Sequence, residues 1–256
     1  MNQSKVSIFD FSGIYDYEGF YKEIKSPRFI CLKEVSGTNC LCDDTAAEAI
    51  KATFDDQVLS DGALRFFDSG NYHYMSKLLA DYVREPFNLI VYDHHPDMQP
   101  SSFGSILSCG SWVMDTLDTN PFVKNVVVVG AADTLIEKVD PSYLDRVTFY
   151  SPSDAMKKLQ SGEDFFAKES ELPVYLSIDK DVLSLEEIVT NWDQGEMYLK
   201  DLYNHIDMIY NFYKVIATDV CGECAPDQEG CDVAGAALLS SDINKGIFDI
   251  WHKNNH

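Results

Sequence analysis

The sequence predicts an α/β protein, a three-layer α/β/α arrangement around a mostly parallel sheet of about eight strands. Three observations predict it. Short β-branched or aromatic runs recur along the chain, segments of helical period separate them, and no Gly/Ser/Pro-rich linker or internal repeat interrupts the alternation. Near-continuous apolar strands suit a sheet covered on both faces, because neither side of such a strand meets water. The 256 residues are read as one domain, 1–256, long enough to bury a sizeable core.

In chain order the strand runs are "KVSIFDF" (5–11), "RFICLK" (28–33), "LRFFD" (64–68), "NLIVYD" (88–93), "NVVVVGAAD" (125–133), "VTFY" (147–150), "PVYLSID" (173–179) and "KVIATDV" (214–220). Helical patterns fall over 44–53, 72–84, 104–118, 152–160, 197–213 and 235–253. The fifth is the clearest: Met197, Leu199, Leu202, Ile206 and Ile209 form an apolar stripe, with Asp201 and Asn204 on the other face. Ahead of the first helix, "SGTNCLCDD" (36–44) reads either as a turn, with Asp44 as N-cap, or as a lid reaching over a site.

The formal net charge is −22, from 42 acidic and 20 basic residues. Such a surface repels phosphate backbones and anionic lipid, so neither nucleic acid nor membrane is expected as a partner. A small cationic molecule, in keeping with that charge, is the expected partner, and a homo-oligomer is left open. No apolar run approaches the roughly 18–20 residues of a membrane span, and no secretory signal pattern is visible, so a cytoplasmic location is expected. Seven cysteines, an odd number, do not suggest a disulfide framework there. The close pairs Cys40/Cys42 and Cys221/Cys224 have only a weak resemblance to thiolate zinc spacing.

In doubly wound folds ligands sit beyond the carboxyl ends of the strands, so the residues just after each apolar run carry the interest. After "FNLIVY" come Asp93, His95 and Asp97, and an extended backbone would point all three the same way. After "PVYLS" come Asp179 and Asp181, which repel each other unless a cation or proton lies between them. Carboxylates with imidazoles and no thiolate suit a borderline-hard divalent ion such as Mn²⁺. The bland alternative is a solvated "DHHPD" loop and a helix-capping "DKD".

These motifs resemble those of the arginase/agmatinase ureohydrolase family, whose marks are "GGDH", "DAHxD" and "SxDxD" near strand ends. Here "GNYH" (70–73), "DHHPD" (93–97) and "SIDKD" (177–181) stand in those places, and "VVVVGAAD" looks like the family's "GxRD" strand. The resemblance implies two divalent metal ions, Mn²⁺ above all. His73, Asp93, Asp97 and Asp179 would hold one, and Asp93, His95, Asp179 and Asp181 the other. It also implies a hydrolase that cleaves a C–N bond of a linear guanidino or amidino compound by a metal-bridging hydroxide, with Asp181 relaying a proton. His94 falls at the family's alanine and is expected outside the ligand set, either behind the ligands or facing outward.

The departures bear on substrate. Tyr72 replaces the family's aspartate, and Cys109–Gly110 stands where arginases carry a proton-shuttling "HG". Cys109 is therefore a candidate catalytic residue, or else a small buried residue at a helix start. Glu223, four residues after Asp219, is the candidate for gripping the guanidinium; otherwise it is a loop acid. Gln99 stands where arginases place an amide toward the substrate's amino-acid end, and the "DP" that often follows "SxDxD" is replaced by "VLSLEE". Two other readings stay open: a zinc-dependent amide deacylase on the same architecture, and a metal-binding protein without catalysis.

Overall fold

The structure is a computed structural model and describes residues 5–101, 104, 106–166 and 171–255. Each of the eight apolar runs becomes a strand of one parallel sheet: β1 (Val6–Asp10), β2 (Arg28–Cys31), β4 (Ala63–Phe66), β5 (Phe87–Tyr92), β7 (Val123–Val129), β8 (Val147–Tyr150), β9 (Val174–Asp179) and β10 (Val215–Cys221). Their spatial order is β2-β1-β4-β10-β9-β5-β7-β8, with every neighbouring pair parallel. Strands β4, β5 and β9 are buried along their whole length, whereas the edge strands β2 and β8 are partly open. Continuous hydrophobicity in the sequence therefore marks the strands with covered faces.

Two layers of helix cover the sheet. On one face, Leu159 of α5 (Pro152–Ser161), Ile206 of α6 (Leu199–Phe212) and Ile247 of α7 (Val233–Asn255) pack with Ile90, Tyr92 and Ile178. On the other, Ile50 of α1 (Asp44–Lys51), Leu78 of α2 (Met75–Ala80) and Trp112 of α3 (Trp112–Thr119) pack with Leu89, Val91 and Tyr175. Alternate residues of each strand feed opposite layers, as the period of two dictates.

Five local differences from the sequence reading stand out. The helix expected over 72–84 is a 3-10 turn, Gly70–Tyr72, followed by the short α2. The helix expected over 104–118 starts only at Trp112; residue 105 lies outside the described residues. Ahead of it β6 (Leu107–Ser108) pairs antiparallel with β3 (Leu41–Cys42), so the 36–44 segment is tied down as half of a small ribbon. The cap of α1 is Asp43, not Asp44, its carboxylate accepting from Ala46 N–H at 2.8 Å. One short helix, α4 (Asp133–Ile136), follows β7 where no helical pattern was read. Among the described residues, no helix is long and apolar enough to cross a membrane.

Candidate metal centre

Strands β10, β9 and β5 lie side by side, so their carboxyl ends bring Cys221, Asp179 and Asp93 together. Beyond β5 the chain does not stay extended. It turns, with His95 N–H donating to Asp93 Oδ1 at 2.6 Å and Asp97 in the left-handed region at φ 49°. That conformation is costly for a non-glycine residue, and α3 holds it: Val113 N–H donates to the Asp97 carbonyl at 3.1 Å and Trp112 Nε1–H to Asp97 Oδ2 at 2.6 Å. Beyond β9, Asp179 Oδ1 accepts from Asp181 N–H at 2.9 Å, starting the 3-10 turn Lys180–Val182. The aspartate pair is thus a turn cap and a convergent pair of carboxylates at once.

His73 arrives from the Gly70–Tyr72 turn. Gly70 permits this approach, since a Cβ there would meet Asp179 Oδ2 and Trp192 Cδ1, each at 2.9 Å. The ring is oriented by Ser177, the serine of "SIDKD", whose Oγ lies 2.9 Å from His73 Nε2. Tyr72 turns away and stacks on Phe11, with centroids 4.1 Å apart and planes 8° from parallel.

His73 Nδ1 lies 3.1 Å from Asp93 Oδ2, 3.1 Å from Asp97 Oδ2 and 3.5 Å from Asp179 Oδ2. Although these atoms are near, none meets the nitrogen in hydrogen-bonding geometry, and it is a buried polar atom without a hydrogen-bond partner. A second group forms beside it: His95 Nδ1 is 2.9 Å from Asp181 Oδ2 and 3.4 Å from Asp93 Oδ1. Two overlapping sets, His73–Asp93–Asp97 and Asp93–His95–Asp181, have ligand atoms close enough to share an ion, and Asp93 belongs to both. Buried carboxylates at this density need positive charge among them. The orphaned nitrogen amid carboxylate oxygens fits a divalent cation.

Protonation follows the same logic. Burial opposes charge on His95, yet Asp181 and Asp93 outweigh it and push its pKa up to about 12. His73 is likewise raised against the effect of burial, by Cys221, Asp93 and Asp97. Burial and the Asp93 charge raise Asp97 to about 7, while burial, Asp179 and Asp93 hold Asp181 well above the carboxylate range. Asp93 alone falls below that range: burial opposes its charge, but the nearby His73 and His95 imidazoles favour the charged carboxylate and outweigh its desolvation.

The structure gathers His73, Asp93, His95, Asp97, Asp179 and Asp181, and leaves other candidates elsewhere. Glu223 does not line the pocket: it is fully buried, and its carboxylate is taken by Lys180 Nζ, Ser240 Oγ and Asn244 Nδ2. The turn at Gly222 and Glu223 docks both N–H groups on the Asp68 carbonyl, which directs Glu223 beneath the sheet end and away from the pocket. Cys109 does border the pocket, in the turn between β6 and α3, where its N–H donates to the Cys40 carbonyl at 2.9 Å; its thiol interacts with Cys40, and that interaction and burial raise its pKa far above the thiol range. His94 joins neither ligand set; its backbone N–H donates to Asp181 Oδ1 at 2.9 Å, and burial lowers its imidazole pKa. Gln99 donates its backbone N–H to the Gly110 carbonyl at 2.9 Å. The two cysteine pairs stay apart, Cys221 against Asp179 and Cys40 against Cys109.

Trp112, Ser177 and Trp192 were not singled out from sequence. Ser177 carried a signal as the first letter of its motif; the tryptophans, brought in by α3 and by a loop, carried none. The pocket is small, about 60 Å³, lined by the ligands with Gly70, Cys109, Gly110 and Trp192. A larger cleft of about 400 Å³, bordered by Arg65, Pro173 and Lys214, lies at the amino ends of the strands, away from these groups.

The Arginase family model matches residues 71–241, which span the centre from the His73 turn to α7. The chain belongs to the arginase family. An uncharacterized protein of Thermotoga maritima is 31% identical over 221 residues, covering 86% of this chain and 80% of its own. Among solved structures, proclavaminate amidino hydrolase from Streptomyces clavuligerus superposes with TM-score 0.70 at 14% identity, over 100% of this chain and 93% of that one. Arginase from Bacillus caldovelox gives 0.69 at 16% identity, covering 97% and 98%. Agmatine ureohydrolase of Thermoplasma volcanium gives 0.67 at 14%, covering 99% and 93%. At such identities these structures establish the arginase-like fold, and the family model establishes the membership.

Proposed function

We propose that this arginase-family protein is a metal-dependent hydrolase cleaving a C–N bond of a linear guanidino or amidino compound. The observation that carries the reading is the buried, unbonded His73 Nδ1 facing Asp93, Asp97 and Asp179, beside the Asp93–His95–Asp181 group. His73, Asp93, Asp97 and Asp179 would hold an inner ion; Asp93, His95, Asp179 and Asp181 an outer one. The carboxylate-rich set suits Mn²⁺. Bound there, two divalent ions would lower the pKa of a shared water and supply a nucleophile for an sp² carbon.

The chain's own groups support the rest. Asp181 is the group placed to take up a proton at the centre, and the half-open His95, its Nδ1 turned to Asp181 and Asp93 and its Nε2 3.7 Å from the exposed Asp193, marks the side that faces solvent. Trp192 and Gly70 wall the pocket, and its lining beyond the ligands is neutral. With Glu223 committed to Lys180, a cationic substrate would be drawn in by the acidic chain as a whole and held by contacts that differ from a carboxylate grip.

The test is elemental analysis of protein reconstituted with Mn²⁺, with Asp179→Ala in parallel, followed by a screen for amine, urea or ammonia release from guanidino, amidino and formimidoyl compounds. About two ions per chain, lost on Asp179→Ala, together with turnover of one compound class, are expected. Fewer than about one ion per wild-type chain defeats the two-ion reading. Ions without turnover on any class favour a metal-binding protein without catalysis.

A further inference from the structure

We propose that Cys221 is a ligand of the inner metal position, so that this position prefers a softer divalent cation, of the zinc or cobalt kind, while the outer one keeps its carboxylate and imidazole set. The inference rests on the metal-centre reading above and assigns to it a residue outside the six aspartate and histidine ligands.

Cys221 ends β10, directly in register with Asp179 on β9. It is buried, 1% exposed, and its Sγ lies 3.2 Å from Asp179 Oδ2. Together with His73 and Asp179 it forms a third set of ligand atoms close enough to share an ion. The second, independent observation is His73 Nδ1, itself buried, without a hydrogen-bond partner and facing the same carboxylates.

The backbone is built for this approach. Gly222, the next residue, has φ 94°, and a Cβ on it would meet Asp179 Oδ1 at 2.4 Å and Lys180 N at 2.6 Å. Only glycine lets the chain turn so tightly against Asp179 while leaving the Cys221 side chain beside it. Cys224, two residues beyond the turn, instead places its sulfur 3.8 Å from the Val233 carbonyl and takes no part.

A thiolate is a soft donor, whereas carboxylates are hard. One sulfur at the inner position and none at the outer gives the two positions different preferences, because Cys221 is absent from the Asp93–His95–Asp181 set. Coordination replaces the S–H bond of Cys221 by a sulfur–metal bond; the proton leaves to solvent, and no oxidation state changes.

Cobalt(II) reports this directly. Titrated into the metal-free full-length protein, it should give an intense near-ultraviolet thiolate-to-cobalt charge-transfer band in the wild type that is missing in Cys221→Ser. In competition, the preference for Zn²⁺ over Mn²⁺ should fall by about tenfold or more in Cys221→Ser, the scale expected when a residue holding a metal is lost. Wild-type protein that binds cobalt with visible d–d bands but no charge-transfer band overturns the role of Cys221 and leaves the metal centre standing. So does a variant with unchanged selectivity. Wild-type protein that binds none of the three cations overturns both. The wild-type spectrum decides the matter even where the variant folds poorly.

Discussion

Lys180 stands between two aspartates of the metal centre, and its side chain runs the other way. It is wholly buried, and its ammonium meets Glu223, Ser240 and Asn244, with Asn244 Nδ2 also donating to Glu18 Oε2 at 3.0 Å. Three ionisable groups thus share a dry pocket under the sheet end. Glu223 is charged, Lys180 lowering its pKa against the cost of burial. Burial and the Glu223 charge raise Glu18 well above the carboxylate range, which favours its neutral form. Two substitutions should therefore differ sharply. Lys180→Met leaves Glu223 buried without its counter-charge and should cost about 3–5 kcal/mol. Glu18→Gln swaps one neutral group for another of the same shape and should cost under about 1 kcal/mol. Denaturant unfolding at neutral pH compares them, and equal losses would show that Glu18 is ionised.

At the scale of elements, the strands were legible because burial on both faces leaves a continuous apolar signature that needs no partner to be recognised. It is fullest in β1, β4, β5 and β9, which are buried throughout, and weakest in the edge strands β2 and β8. The two-residue strands β3 and β6 carry none, and their pairing through a ribbon, not any periodicity, sets where Cys109 stands. The aspartate motifs were legible for a similar reason: strand ends in parallel sheets converge. Glu223 was not, since its direction is decided by the hydrogen bonds of the Gly222 turn to Asp68, far away in sequence. His205 is another residue whose setting appears only in the packing of α6 on β5. Its Nδ1 is 3.0 Å from the Tyr92 hydroxyl, and burial lowers its pKa to about 4. The unfolded chain, with a histidine pKa of about 6.5, takes up the proton first as pH falls. Stability should be unaffected by this residue above about pH 6.5, decline by about 3 kcal/mol on the way to pH 4, and then level off. His205→Gln keeps an acceptor for Tyr92 and cannot titrate. Subtracting its pH–stability curve from that of the wild type should leave a slope confined to that window; a flat difference would show that His205 protonates freely in the folded protein.

For the whole molecule the governing quantity is negative charge. The chain carries a formal −22, and four aspartates of the centre are buried where water cannot screen them. Two effects of added salts must then be separated. Monovalent salt weakens repulsion between surface charges whatever the state of the centre. A divalent ion held by the centre acts by linkage: at about 100 times its Kd, binding to the folded state alone adds about 2.7 kcal/mol per site. In a chain of this size each kcal/mol moves Tm by roughly 2–4 °C, so one occupied site should raise it by roughly 5–10 °C. Sodium chloride should shift the wild type and Asp179→Ala alike. Mn²⁺ or Zn²⁺ at matched ionic strength should shift the wild type alone, and a chelator should reverse that shift. Because Asp179 joins β9 to the ligands of β5 and to Cys221 of β10, the stabilisation should reach the middle of the sheet. Amide exchange in β5, β9 and β10 should slow more than in the edge strands β2 and β8. A metal-dependent Tm shift of equal size in Asp179→Ala would place the ions on the acidic surface instead of at the strand ends.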